Sequence, residues 1–137
     1  MKVTPNQASN SLGVLDNYSI RAIAKDRRLY LTLARVVREL SNLVEAQDQE
    51  MNMLLRAFGK KDEKGQLQVP DDKLTEHGKK VYEYLNEPRE VNIPGKIKLE
   101  VFESAGIQPT AMELAVLDWL IVSDETGLLF MSGDGTA

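Results

Sequence analysis

Four basic residues, Arg21, Lys25, Arg28 and Arg35, recur in the N-terminal quarter of the chain at intervals of four, three and seven. At 100° per residue they fall within about 40° of one line on a helix. Such a line suits phosphate. An arginine fork gives two parallel charge-assisted hydrogen bonds to phosphate oxygens, and a lysine adds a point charge. These four residues are therefore the candidate ligand-binding set, with a nucleotide as the ligand they would take. Two other readings fit the same line: a solvated helix face, or a dock for the acidic C-terminal third of the chain. Tyr18 and Tyr30 lie close enough in sequence to stack on a base, although Tyr30 falls on an apolar face.

Other chemistry is sparse. The single histidine, His77, sits in Glu76-His77-Gly78-Lys79-Lys80, where no partner carboxylate or pocket is evident for a general base. With no cysteine and one histidine, no thiolate or imidazole metal centre is expected. Glu113 and Asp118 are five apart and do not share a helix face, so paired-carboxylate chemistry is not indicated. Asp71-Asp72 followed by Glu76 lacks the spacing and the glycine of a calcium loop. There is no phosphate-cradling glycine loop, dinucleotide fingerprint or nucleophile elbow. The expectation is a non-enzymatic protein without metal or cofactor.

Charge is polarised along the chain. Residues 1–38 carry Lys2, Arg21, Lys25, Arg27, Arg28, Arg35 and Arg38 against Asp16 and Asp26. From residue 99 onward there are Glu100, Glu103, Glu113, Asp118, Asp124, Glu125 and Asp134, and neither Lys nor Arg. The net charge of -4 weighs against a long phosphate footprint, so extended nucleic-acid binding is not expected. Residues 1–5 lack the apolar run of a signal peptide, and no stretch is apolar enough to span a bilayer. The expected setting is a cytoplasm, with no membrane partner. With 137 residues, 42% hydrophobic and 28% charged, the composition is that of an ordinary globular domain.

The elements that must position these groups are mainly helical. Thr4-Pro5-Asn6-Gln7 has the form of a helix start: a Thr cap, Pro at the first helical position, and Gln three residues after the cap. A first helix over residues 5–16 should end at Asp16-Asn17, with Ser19 capping a second. From Val14 to Phe58 there is neither glycine nor proline, and Tyr30, Leu33, Val37, Leu40, Val44, Gln47, Met51, Leu54 and Phe58 follow a 3-4 spacing. A helix over residues 19–58 would be about 60 Å long. A compact globule of this chain length is only about 40 Å across, so the helix must bend, protrude or lie along a second subunit. Leu40, Val44, Met51, Leu54 and Phe58 are thus the candidate oligomer interface, in a dimer or a higher assembly. Gly59 is placed to close this helix as a left-handed cap.

Beyond it, Lys60 to Gly65 reads as a polar turn, with a short strand before Pro70. A helix over residues 73–85 follows, its inner face Leu74, Val81, Tyr82 and Leu85. Residues 91–99 alternate about Pro94-Gly95 in a hairpin pattern. Residues 100–105 form a helical turn, and Gln108-Pro109-Thr110 opens a last, strongly apolar helix that holds Trp119. The words Asp62-Glu63-Lys64-Gly65-Gln66-Leu67 and Asp124-Glu125-Thr126-Gly127-Leu128-Leu129 share a turn pattern with glycine at its left-handed position. The fold expected is mostly α. It has a long central helix, three shorter helices and a minor β-hairpin near 90–101, in a single domain over residues 1–122. Residues 123–137 form a partly flexible extension.

The order of these features resembles a family of small proteins of unknown function encoded by tailed bacteriophages. The resemblance spans roughly residues 2–121. It rests on Lys2-Val3-Thr4, Ala22-Ile23-Ala24-Lys25, Lys61-Asp62-Glu63-Lys64-Gly65 with Val69-Pro70, Glu90-Val91-Asn92-Ile93, Ile97-Lys98-Leu99, Pro109 and Glu113-Leu114. It implies a viral gene product acting in the cytoplasm of an infected bacterium or in the virion, and it brings no catalytic residues. Two functions follow as expectations. One is an interaction protein that self-associates through its long helix in virion assembly or as a virion component, with a phage structural protein as partner. The other is a counter-defence protein that sequesters a host nucleotide signal or blocks a host defence complex.

Overall fold

The computed structural model describes residues 1–123. In chain order the elements are β1 (Lys2–Val3), α1 (Pro5–Ala22), α2 (Arg27–Phe58), β2 (Lys60–Lys61), β3 (Leu67–Gln68), a 3₁₀ turn (Asp71–Lys73), α3 (Leu74–Leu85), β4 (Arg89–Glu90), β5 (Ile97–Lys98), α4 (Leu99–Ser104), α5 (Ala111–Val116) and β6 (Ile121–Val122). Helices dominate, and the strands are two-residue pairs, as expected of a helix-rich α+β fold. No helix among the described residues is long and apolar enough to cross a membrane. The expected C-terminal extension and the second Asp-Glu-x-Gly turn lie outside the described residues.

Thr4 opens α1 with the capping box that its spacing predicts. Gln7 N–H donates to Thr4 Oγ1, and Thr4 N–H donates to Gln7 Oε1, each at 3.0 Å. The first helix does not stop at Asp16-Asn17. It continues to Ala22, because Leu15, Tyr18, Ser19 and Ala22 form one buried row across that point. The break falls at residues 23–26. Lys25 and Asp26 N–H groups both close onto the Ala22 carbonyl, at 3.0 and 2.9 Å. Asp26 then caps α2, its carboxylate accepting from Leu29 N–H at 3.1 Å and its carbonyl from Tyr30 N–H at 2.9 Å. The long helix is therefore α2 alone, 32 residues or about 48 Å.

Gly59 does not close α2 as a left-handed cap. The left-handed glycines among the described residues are Gly65 (φ 79°) and Gly106 (φ 77°). Gly59 is small for another reason: a Cβ there would lie 2.4 Å from the Leu55 carbonyl oxygen. Pro94-Gly95 does not join a hairpin either. β4 pairs antiparallel with β1, Lys2 opposite Glu90 and Val3 opposite Arg89, while β5 pairs in parallel with β6. The hairpin is instead β2–β3, with Lys60 opposite Gln68 and Lys61 opposite Leu67. Asp62 shapes its turn by accepting from Lys64 and Gln66 N–H groups at 2.8 and 2.9 Å, with Gly65 in the left-handed position.

The chain divides into two compact units, and the division falls within α1 and within α2. The first comprises Met1–Leu12 and Arg38–Asn92. Its buried side chains are few: Val3, Pro5, Ala8, Ser11 and Leu40. Here Met1 N meets Glu90 at 3.1 Å, Asn92 N–H donates to Glu39 at 2.8 Å, and Arg89 lies over the Tyr84 ring at 4.4 Å. The second comprises Gly13–Val37 and residues from 93 on. It holds most of the core: Leu15, Tyr18, Leu29, Leu33, Val36, Ile93, Phe102, Ile107, Leu117, Trp119, Leu120 and Ile121. Tyr18 and Phe102 meet edge to face at 5.8 Å.

Candidate functional site

The structure does not gather the four basic residues into one line. Arg21 ends α1, Lys25 lies in the turn, and only Arg28 and Arg35 belong to α2. All four are exposed. Arg21 lies 6.0 Å from the Tyr18 ring centroid. Tyr18 is buried, so it offers no face to a base, and Tyr30 is half-buried.

A polar pair inside the second unit was not evident from spacing. Tyr18 Oη donates to Glu113 Oε1 at 2.5 Å, across 95 positions of sequence. Glu113 is also the third residue of α5 and completes a capping box with Thr110, whose N–H donates to the same carboxylate oxygen at 3.0 Å. Burial raises the Tyr18 hydroxyl well above its ordinary value, and the hydrogen bond to Glu113 and that carboxylate's charge add to the rise. Glu113 is held below its ordinary value by the Tyr18 hydrogen bond first, then by the Thr110 N–H, with the nearby Arg21 charge helping. Arg21 thus lies near an acidic residue of the C-terminal third. The pair is a lock between α1 and α5.

Arg35 borders a cleft. The cleft has a volume of about 390 Å³ and is lined by Thr32, Arg35 and Val36 of α2 and by residues 93–97. Its apolar part comes from the buried Val36 and Ile93 and the half-buried Ile97. Among the described residues its two charged lining residues are both cations, Arg35 and Lys96. Lys96 Nζ donates to the Asp118 carbonyl at 3.3 Å. Thr32 Oγ1 donates to the Arg28 carbonyl at 2.9 Å. Sequence reading placed residues 93–97 in a hairpin turn and so missed Lys96. The signal present was a cation beside Pro94-Gly95, and it carried no direction until the backbone around it was known.

The second half of α2 carries the candidate oligomer interface. Leu40 is fully buried within the first unit, so it belongs to the core of that unit. Val44, Met51, Leu54 and Phe58 are half-buried, and Met53 beside them is 61% exposed. Gln47, the polar interruption of the stripe, accepts from Ser9 Oγ at 2.7 Å. Phe58 meets the His77 ring edge to face at 5.8 Å, so His77 packs against the stripe's end. No residue of α3 is buried: of its expected inner face, Val81 and Leu85 are half-buried, while Leu74 is 50% and Tyr82 69% exposed. Among the described residues no group of three or more metal-ligating side chains is gathered. Comparison of the chain with protein-family models, curated protein sequences and solved structures finds no match.

Proposed function

We propose that this chain is a non-enzymatic interaction protein that self-associates through α2, as a dimer or higher oligomer. The observation that carries the reading is the unfinished burial of the first unit. From residue 41 to residue 58, α2 has an apolar stripe but no buried residue, and α3 has none. A stripe of this kind gives up its remaining exposed area most simply to a second copy of itself, at about 25 cal/mol per Å² removed from water. The resemblance to small proteins of tailed phages supplies the setting. Self-association then serves virion assembly or a place in the virion.

Light scattering from micromolar to hundred-micromolar concentration tests this. The expected mass is twice 15.4 kDa or more at the upper end, and Leu54→Asp should return the protein to the monomer mass with its helix content intact. A monomer mass at every concentration refutes self-association. The second reading, a counter-defence protein that holds a host nucleotide signal, is favoured by one feature, the Arg35 and Lys96 cations at an apolar cleft.

A further inference from the structure

We propose that the second unit carries a head-to-tail contact between copies of this chain: the corner at residues 20–31 of one copy docks on α4 of the next. The surfaces are separate from the α2 stripe, so the inference goes beyond the self-association argued above. The corner joins α1 to α2 and exposes three large aliphatic side chains, Ile20 at 64%, Ile23 at 58% and Leu31 at 53%. Among them stand Lys25, Arg27 and Arg28, all exposed. Their side chains make no hydrogen bond or ion pair among the described residues. Arg21 is already near the Glu113 carboxylate, and the corner's one acid, Asp26, is occupied as the α2 cap. Cations interleaved with exposed aliphatics call for a partner that is acidic and partly apolar. The fourth helix, α4, offers that combination. Glu100 and Glu103, both exposed and without an ion pair among the described residues, flank Val101, which is 38% exposed.

Helix phase sets the two surfaces back to back. Tyr18 of α1 meets Phe102 of α4 edge to face. Ile20 is two residues past Tyr18 and Glu100 two residues before Phe102, each about 200° round its helix. Ile20 therefore faces away from α4, and Glu100 faces away from α1. Complementary surfaces so placed do not satisfy each other within one copy. They meet head to tail between copies, and such a contact continues into a ring or an open chain. The charges also sit where local stability does not favour them. Arg27 and Arg28 occupy the first turn of α2, which prefers anions, and Glu103 lies in the last turn of α4, which prefers cations. A partner of opposite charge supplies what the helix itself does not.

The test is an NMR concentration series on isotope-labelled Leu54→Asp, in which the α2 contact is disabled; wild type serves instead if it proves to be a monomer. The contact is small and its charges are solvated, so a Kd on the order of a millimolar is expected. That lies beyond the range in which light scattering reads pairing through α2. On concentrating to millimolar protein, amides of residues 20–31 and 99–104 should move together, and less so at high salt. Arg27→Glu with Arg28→Glu, or Glu100→Lys with Glu103→Lys, should each weaken the contact about tenfold or more. Mixing the two doubly reversed proteins should restore the shifts, which misfolded variants could not do. A wild-type monomer by light scattering removes pairing through α2 and leaves this contact standing. Shifts confined to one of the two surfaces, no concentration dependence, reversed variants that associate like their parent, or a mixture that stays inert overturns the proposal. So do corner shifts that appear with phosphatidylglycerol vesicles and not on concentrating, which would assign the corner to a membrane.

Discussion

Replacing Tyr18 by Phe removes one hydroxyl from the core of the second unit, and its effect can be worked out from the two partners. The Oη–Glu113 contact is a 2.5 Å hydrogen bond to a carboxylate, a type worth about 1.5–3 kcal/mol. Glu113 is only half-buried and keeps the Thr110 N–H at 3.0 Å. Water can therefore rehydrate it after the substitution, and the loss should sit at the lower end, about 1.5 kcal/mol. Glu113→Leu is the harsher change. It leaves the hydroxyl of Tyr18, a residue only 1% exposed, without its acceptor and also removes half of the α5 capping box. A loss of about 3 kcal/mol is expected. Combining the two should cost less than their sum, because a Phe at position 18 has no hydroxyl to strand.

Urea unfolding of the four proteins at pH 7 measures the cycle. The two shifted groups also set its pH dependence. Glu113 lies below its ordinary 4.5 when folded, so its contribution is complete above that value and is lost as pH falls through the folded value. Tyr18 lies above its ordinary 10.0, so its contribution is complete below that value and is lost as pH rises through the folded value. Tyr18→Phe should abolish the alkaline loss and weaken the acid one. Wild-type stability in Tyr18→Phe, or Glu113→Leu no worse than Tyr18→Phe, would refute the reasoning.

Asp26→Ala should cost about 1 kcal/mol through loss of the α2 cap, with Asp26→Asn near wild type, as read by thermal melting. Gly13→Ala should stabilise by about 0.5–1 kcal/mol, since it lies mid-helix with nothing within 4 Å of an added Cβ. Gly59→Ala should instead cost about 1–3 kcal/mol in the same melting experiment, its Cβ being forced against the Leu55 carbonyl. Val44→Asp, at a half-buried position, should keep most of the circular dichroism signal and abolish concentration-dependent mass. Leu33→Asp, at a fully buried one, should lose the folded signal itself.

Local chemistry in this chain was legible from residue order. Thr4 with Gln7 specifies a helix start because cap and partner are three residues apart. Asp62 with Gly65 specifies a turn for the same reason, and the 3-4 repeat from Leu33 to Phe58 specifies a helix. Each is an interaction between near neighbours. The break at residues 23–26 was not legible, because Ala22 and Leu29 are seven apart. The buried row passes from α1 to α2 without a change of phase, and only Asp26, a modest cap signal, marked the place. Strand pairing was beyond reach as well. Two-residue strands carry almost no periodicity, and β1 finds β4, and β5 finds β6, through chain closure over long separations. The Tyr18–Glu113 lock and the Arg35–Lys96 cleft share that character. Each joins residues more than fifty positions apart, and only the folded backbone decides which of many possible partners they meet.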